Sequence, residues 1–125
     1  MGKIVREAAN VHLTPCTLEL GGKSPAYIDD NCNVDTAVKR LIWGKAINAG
    51  QTCIAPDYIL ASKKVENKVV ELVPKILKEW YGYNPQDSPD LCRIVNERHF
   101  NRLKRLLDTT TGTVVSGNEI VRVIK

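Results

Sequence analysis

Apolar residues recur with a helical period along most of this chain and alternate in a few short runs, and the two periods predict its elements. Ile4, Val5, Ala8, Ala9 and Val11 share one side of a helix over 3–11, which Pro15 keeps from extending further. Val34, Ala37, Val38, Leu41 and Ile42 fall at i, i+3, i+4, i+7 and i+8 and predict a helix over 34–48. Asn33 is its expected N-cap, Asp35 suits the positive helix start, and Gly50 stands near the C′ position. Val65, Val69, Leu72, Val73, Ile76, Leu77 and Trp80 form the stripe of a third helix over 65–80. Pro74 lies inside that stripe. An interior proline removes a hydrogen bond and costs about 3 kcal/mol, which predicts a kink or a break. Phe100, Leu103, Leu106 and Leu107 predict a fourth helix over 97–107.

Between these helices lie strand-like runs. Cys16-Thr17-Leu18-Glu19-Leu20 reads as a strand ended by Gly21-Gly22, and Ala26-Tyr27-Ile28 as a second closed by Asp29-Asp30-Asn31. Residues 57–61 read as a third, residues 81–89 as a loop, and residues 113–116 and 120–124 as strands about a Gly117-Asn118 turn. Alternation of strands and helices predicts the α/β class, a sheet packed between helices.

Composition narrows the function classes. A chain of 125 residues has the size of one domain and can bury only a modest core. At 43% hydrophobic it is too apolar for a disordered chain, yet no stretch of about 18 apolar residues suggests a membrane span. Neither a secretory leader nor a myristoylation signal is visible, so reduced thiols and a cytoplasmic location are the expectation. The net charge of +4 is mild. Its densest cluster, Arg93, Arg98, Arg102, Lys104 and Arg105, is interrupted by Glu97 and Asp108 and reads as a solvated helix face. A nucleic-acid site would want aromatic residues along a basic stripe, and only His99 and Phe100 lie there, so no nucleic-acid partner is expected. Cys16, Cys32, Cys53 and Cys92 form no CxxC pair and the chain has 2 histidines, so no metal site is expected.

Two positions carry candidate chemistry. Cys53, in Gly50-Gln51-Thr52-Cys53, falls on a loop just past a helix end, where a thiolate can attack a carbonyl carbon. Glu19 stands between Leu18 and Leu20 and beside Gly21-Gly22, whose missing side chains let another group come close. A Cys–His hydrolase using His12 or His99 is the rival, and nothing in the local sequence around either histidine supports it.

Taken together, Glu19-Leu20-Gly21-Gly22-Lys23-Ser24-Pro25 and, 34 residues beyond its glutamate, the cysteine of Gly50-Gln51-Thr52-Cys53 resemble the aldehyde dehydrogenase superfamily. Trp43-Gly44-Lys45 and Ala55-Pro56-Asp57-Tyr58-Ile59-Leu60 look most like its class 3 group, which includes fatty aldehyde dehydrogenases. The resemblance runs from about Gly2 to about Gly117. It implies Cys53 as nucleophile, Glu19 as general base, and Leu20 and Gly21 as backbone neighbours of the nicotinamide of NAD or NADP, most of whose site would lie outside this chain. It implies that residues 1–14 are a remnant of a cofactor-binding domain, 15–117 a partial catalytic domain, and 118–125 a divergent tail. The implied activity is oxidation of an aldehyde to a carboxylic acid, as part of a longer enzyme. A catalytically inactive product or interaction fragment is the alternative. Full-length relatives would be homodimers, and any association with the endoplasmic reticulum membrane would run through a C-terminal tail beyond this chain.

Overall fold

The computed structural model describes residues 1–115. Its centre is a parallel β-α-β unit. Strand β1 (Ser24–Ile28) leads through helix α2 (Val34–Ala46) to strand β2 (Pro56–Ala61). A parallel pair needs such a crossover, because both strands must start at the same end of the sheet. The register sets Ala26 beside Ile59, Tyr27 beside Leu60 and Ile28 beside Ala61, with an irregularity between Ser24 and Pro25. Helix α1 (Gly2–Asn10) precedes the unit; α3 (Lys63–Tyr81) and α4 (Glu97–Asp108) follow it.

Side-chain oxygens start three of the helices, Asn33 as the sequence predicts, and α3 begins two residues before its apolar stripe. Asn33 Oδ1 accepts from the Thr36 N–H at 3.0 Å, Ser62 Oγ from Val65 at 3.4 Å, and Asn96 Oδ1 from His99 at 3.0 Å. Each satisfies a backbone donor that the first helical turn leaves without a partner. Helix α3 runs through Pro74 as one element, so the expected break does not occur. Pro74 and Val70 both lie on the exposed side of α3, where water can take the carbonyl that proline leaves unpaired. Gly82, at φ +80°, then ends the helix in a conformation that glycine adopts readily.

Ile28 of β1, Val34 and Val38 of α2, and Val65 and Ile76 of α3 form the buried core, flanked by Leu41, Ile42, Leu72 and Trp80. The stripes of α2 and α3 therefore meet each other and one face of the sheet, whereas the predicted stripes of α1 and α4 bury none of their residues. Val38 is 1% exposed. Val38→Ala should cost about 2 kcal/mol, from lost burial plus the cavity left behind. Urea unfolding will show this as a lower midpoint at unchanged slope, whereas Val70→Ala on the exposed side should leave the midpoint nearly in place. On the opposite face of the sheet, the register partners Tyr27 and Leu60 and the nearby Tyr58 are exposed.

Two predicted strands fail. Residues 16–20 have the alternating pattern but join no ladder; the described sheet consists of β1 and β2. Their apolar side turns instead to the start of α1, where a methyl group added at Gly2 would stand 3.2 Å from Leu20 Cδ1 and 3.6 Å from Leu18 Cδ1. Alternation marks a chain able to pair, and pairing needs a free neighbouring edge in reach. Residues 113–115 form no strand either, while Ser116 and the predicted strand over 120–124 lie outside the described residues.

Candidate active site

The loop carrying Cys53 is built from a left-handed turn. Helix α2 ends at Ala46, two residues sooner than its apolar period predicts, and a tight 3₁₀ turn, Ile47–Gly50, follows. Asn48 (φ 52°, ψ 30°), Ala49 (φ 54°, ψ 34°) and Gly50 (φ 75°) are left-handed in succession. For residues with a Cβ this costs roughly 1–2 kcal/mol each. Gly50 avoids that cost, and a Cβ there would also crowd the Lys45 carbonyl oxygen at 3.3 Å.

Hydrogen bonds hold the turn closed. Asn48 Nδ2 donates to the Gln51 carbonyl at 3.0 Å, and the Asn48 carbonyl accepts from the Gln51 N–H at 3.1 Å and from Gln51 Nε2 at 2.8 Å. Gln51 also reaches across the sequence. Its Nε2 donates to the Arg93 carbonyl at 3.1 Å, and its Oε1 accepts from the Val95 N–H at 2.9 Å. The next residues form a β-turn closed by the Ala55 N–H on the Thr52 carbonyl at 3.0 Å. Ala55 is buried and anchors the turn beneath β2, while Cys53 and Ile54 stand exposed at its tip.

The glutamate segment meets this loop through its last residues. Ser24 Oγ donates to the Cys53 carbonyl at 3.3 Å. Lys23 Nζ lies 2.9 Å from Asp57 Oδ2, and Lys45 Nζ lies 3.6 Å from Asp57 Oδ1. One carboxylate thus joins the glycine turn before β1, the end of α2 and the start of β2. The hydrogen bond from Lys23, with the charges of Lys23 and Lys45, holds the Asp57 carboxyl below its ordinary pKa against a weaker opposing effect of desolvation. A lowered pKa stabilises the fold above the usual carboxylate value of about 4, and that contribution is lost as pH falls through the lowered value. Asp57→Asn should therefore lower the urea midpoint modestly at pH 7. The gap to wild type should close as both are titrated toward pH 2, and 1 M salt should shrink it because the bridge is partly solvated. An undiminished gap at low pH would contradict the ionic role.

Glu19, Leu20 and Gly21 are exposed, on the segment leading into β1. Neither the Glu19 carboxylate nor the Cys53 sulfur makes a hydrogen bond or ion pair among the described residues, so thiol and carboxylate share an end of the sheet without touching. Methyl groups added at Gly21 or Gly22 would meet nothing within 4 Å, which leaves open space beside that backbone. Among the described residues no cluster of His, Cys, Asp and Glu is placed to hold a metal ion, and no helix is long and apolar enough to cross a membrane. Sequence reasoning singled out Cys53 and Glu19 but missed the linking roles of Ser24, Asp57, Lys45 and Arg93. Ties across 12 to 44 positions leave no local pattern to read.

A crossover α/β unit with a cysteine turn before one strand and a glutamate-glycine segment before the other is the arrangement of a known enzyme family. The family model described as "Aldehyde dehydrogenase family" matches residues 1–120, and the chain belongs to that family. Over 108 residues it is 55% identical to the rat "Aldehyde dehydrogenase, dimeric NADP-preferring", covering 86% of this chain and 24% of that one. Over 107 residues it is 57% identical to mouse "Aldehyde dehydrogenase family 3 member A2", covering 86% of this chain and 22% of the relative. The chain thus spans about a quarter of the length of these relatives. Among solved structures, the "Substrate bound state of Staphylococcus Aureus AldH" superposes with a TM-score of 0.80 at 49% identity, over 86% of this chain and 24% of that one.

Proposed function

We propose that this chain supplies the nucleophile and the general base of an enzyme that oxidises aldehydes to carboxylic acids with NAD or NADP. The observation that carries the reading is the parallel register of β1 and β2. It puts Ser24 beside Pro56, so the Glu19 and Cys53 segments enter the sheet at the same end, tied by the Ser24–Cys53 hydrogen bond and the Lys23–Asp57 bridge.

The chemistry follows from the residue types. The Cys53 thiolate attacks the aldehyde carbon; a C–S bond forms and the carbonyl π electrons move to oxygen. The main-chain N–H of Cys53 donates to that oxyanion, as one half of the hole that holds it. Bound NAD or NADP supplies the acceptor for the hydride lost from this carbon. A thioester on Cys53 remains. Glu19 takes a proton from water, the water oxygen adds to the acyl carbon, and sulfur departs as thiolate. An exposed carboxylate with no competing ion pair among the described residues keeps its oxygens available for that water. Open space along Gly21-Gly22 suits close approach of a flat ring, with Leu20 and Gly21 facing it through their backbone.

In this reading residues 1–14 end a cofactor-binding domain, residues 15–117 belong to the catalytic domain and residues 118–125 form a divergent tail. The exposed Tyr27, Tyr58 and Leu60 fit a sheet face that packs against the remainder of a longer enzyme. Aliphatic and aromatic aldehydes of medium or greater length are the substrate class, and a second copy of the enzyme is the partner, in keeping with the word "dimeric" in the rat relative's name. The reading takes the enzyme to act in the cytoplasm, with the endoplasmic reticulum membrane as the alternative for a longer protein that carries a C-terminal anchor. The test is aldehyde-dependent formation of NAD(P)H by a family-length chimera in which this chain replaces the matching quarter of the rat enzyme. An unchanged rate after Cys53→Ala would refute the reading.

A further inference from the structure

We infer that Gln51 is a positioning residue for the Cys53 nucleophile, a clamp that locks the left-handed turn beneath the thiol onto the distant segment Arg93–Val95. The inference rests on the proposed role of Cys53.

All the polar capacity that matters at Gln51 is directed at backbone. Its amide nitrogen serves two carbonyls, Asn48 at 2.8 Å and Arg93 at 3.1 Å, and its amide oxygen accepts from the Val95 N–H at 2.9 Å. One side chain therefore joins positions 42 and 44 residues away to a turn in its own loop. The far anchor is itself braced. Arg93 Nη1 donates to the Leu91 carbonyl at 2.7 Å, and Nη2 donates to the Gln86 carbonyl. Gln51 and Arg93 are both half-buried, so the bond between them and the two guanidinium bonds of Arg93 are partly shielded from competing water, while the bond to Val95 is exposed.

The turn needs such a clamp. Asn48 and Ala49 hold left-handed conformations that a residue with a Cβ adopts reluctantly, and such strain persists only where its surroundings over-determine it. Without the Gln51 amide, the turn keeps its own short-range bonds, Asn48 Nδ2 to the Gln51 carbonyl and the Gln51 N–H to the Asn48 carbonyl, and loses the two hydrogen bonds to Arg93 and Val95. Cys53 lies two residues further on, at the tip of the next turn, so rotation of the first turn is passed directly to sulfur. The amide is spent on the backbone of Asn48, Arg93 and Val95 and is assigned no contact with the reacting atoms; its effect is on where the thiol stands, and small misplacement of a nucleophile is costly.

The test compares Gln51→Met, which keeps the side chain's length and removes its amide, with Gln51→Glu, which keeps an acceptor for the Val95 N–H and loses both donors. Both are made in the family-length chimera, and rates are normalised to titrated active sites so that a loss of folded protein does not count. Gln51→Met should lower kcat per site about 10- to 100-fold with the aldehyde KM within about twofold. In the same protein iodoacetamide should alkylate Cys53 at least about fivefold more slowly, with Cys32 and Cys92 unchanged as references. Gln51→Glu, whose carboxylate would face the Asn48 and Arg93 carbonyl oxygens, should likewise lower kcat per site by about 10-fold or more, and it gives the same comparison if the methionine variant does not fold. A kcat per site unchanged in whichever variant folds, or a loss confined to KM, overturns the inference. A chimera with Gln51 intact that keeps its rate after Cys53→Ala overturns the functional reading and this inference with it. A chimera that depends on Cys53 but not on Gln51 overturns this inference alone.

Discussion

Cys53→Ala should lower aldehyde oxidation by the family-length chimera about 10⁴-fold or more, since loss of a covalent nucleophile removes a whole reaction path. Without sulfur the aldehyde carbon has no tetrahedral adduct from which to lose hydride, and an aldehyde carbonyl is a poor hydride donor. Geometry makes the prediction selective. Cys53 is exposed at the tip of a turn whose carbonyl is tied to Ser24 and whose base is the buried Ala55. Cys32 and Cys92 are also exposed, yet neither is adjacent to the glutamate segment in the described hydrogen-bond network, and Cys16 is half-buried. Alanine at any of these three should leave the rate within about twofold. Equal losses from Cys53→Ala and Cys92→Ala would mean that general damage, and not a missing nucleophile, is being measured. The readout is NAD(P)H absorbance with aldehyde saturating, checked by circular dichroism for retained fold.

Glu19→Gln should slow turnover by about 10² to 10⁴, the usual contribution of a positioned general base. The loss has a particular form. In the proposed mechanism Glu19 acts after the hydride has left, so the first turnover should still give about one NAD(P)H per site before the slow steady state begins. Mass spectrometry in that slow phase should find the acyl group on Cys53. Hydroxylamine, which attacks a thioester without a general base, should restore much of the lost rate. Rising pH should do the same in part, because hydroxide needs no base. Absence of the burst together with a slow rate would place Glu19 before hydride loss and overturn its assigned role. The isosteric amide keeps the shape of an exposed side chain that makes no ion pair among the described residues, so little stability should be lost.

Much of the fold was legible in particular residues. The stripe from Val34 to Ile42 names the face of α2 that meets Ile28, and the stripe from Val65 to Trp80 names the face of α3 that meets α2. Asn33 was legible as a cap because its oxygen needs only a donor three residues ahead. The misses came where a second segment decided. Residues 16–20 carry a strand's pattern but join no ladder; Leu18 and Leu20 lie beside Gly2 of α1 and stay largely exposed. Pro74 signals a break, but an exposed helix face tolerates the unpaired carbonyl. Gly50 signals the helix end, but the left-handed Asn48 and Ala49 before it follow from bonds to Gln51 and beyond.

The candidate site divides in the same way. Which atoms are available, a thiol at 53 and a carboxylate at 19 beside two glycines, was written in the sequence, because reactivity belongs to the residue type and the glycines are local. So were the helical faces, because a helix repeats within a few positions and its burial pattern repeats with it. Tertiary structure alone decided that both segments arrive at one end of the sheet, that Asp57 gathers Lys23 and Lys45, and that Gln51 reaches Arg93 and Val95. Those ties join residues 12 to 44 positions apart, and their partners are chosen by where the β-α-β crossover brings the chain, a distance that no local period encodes.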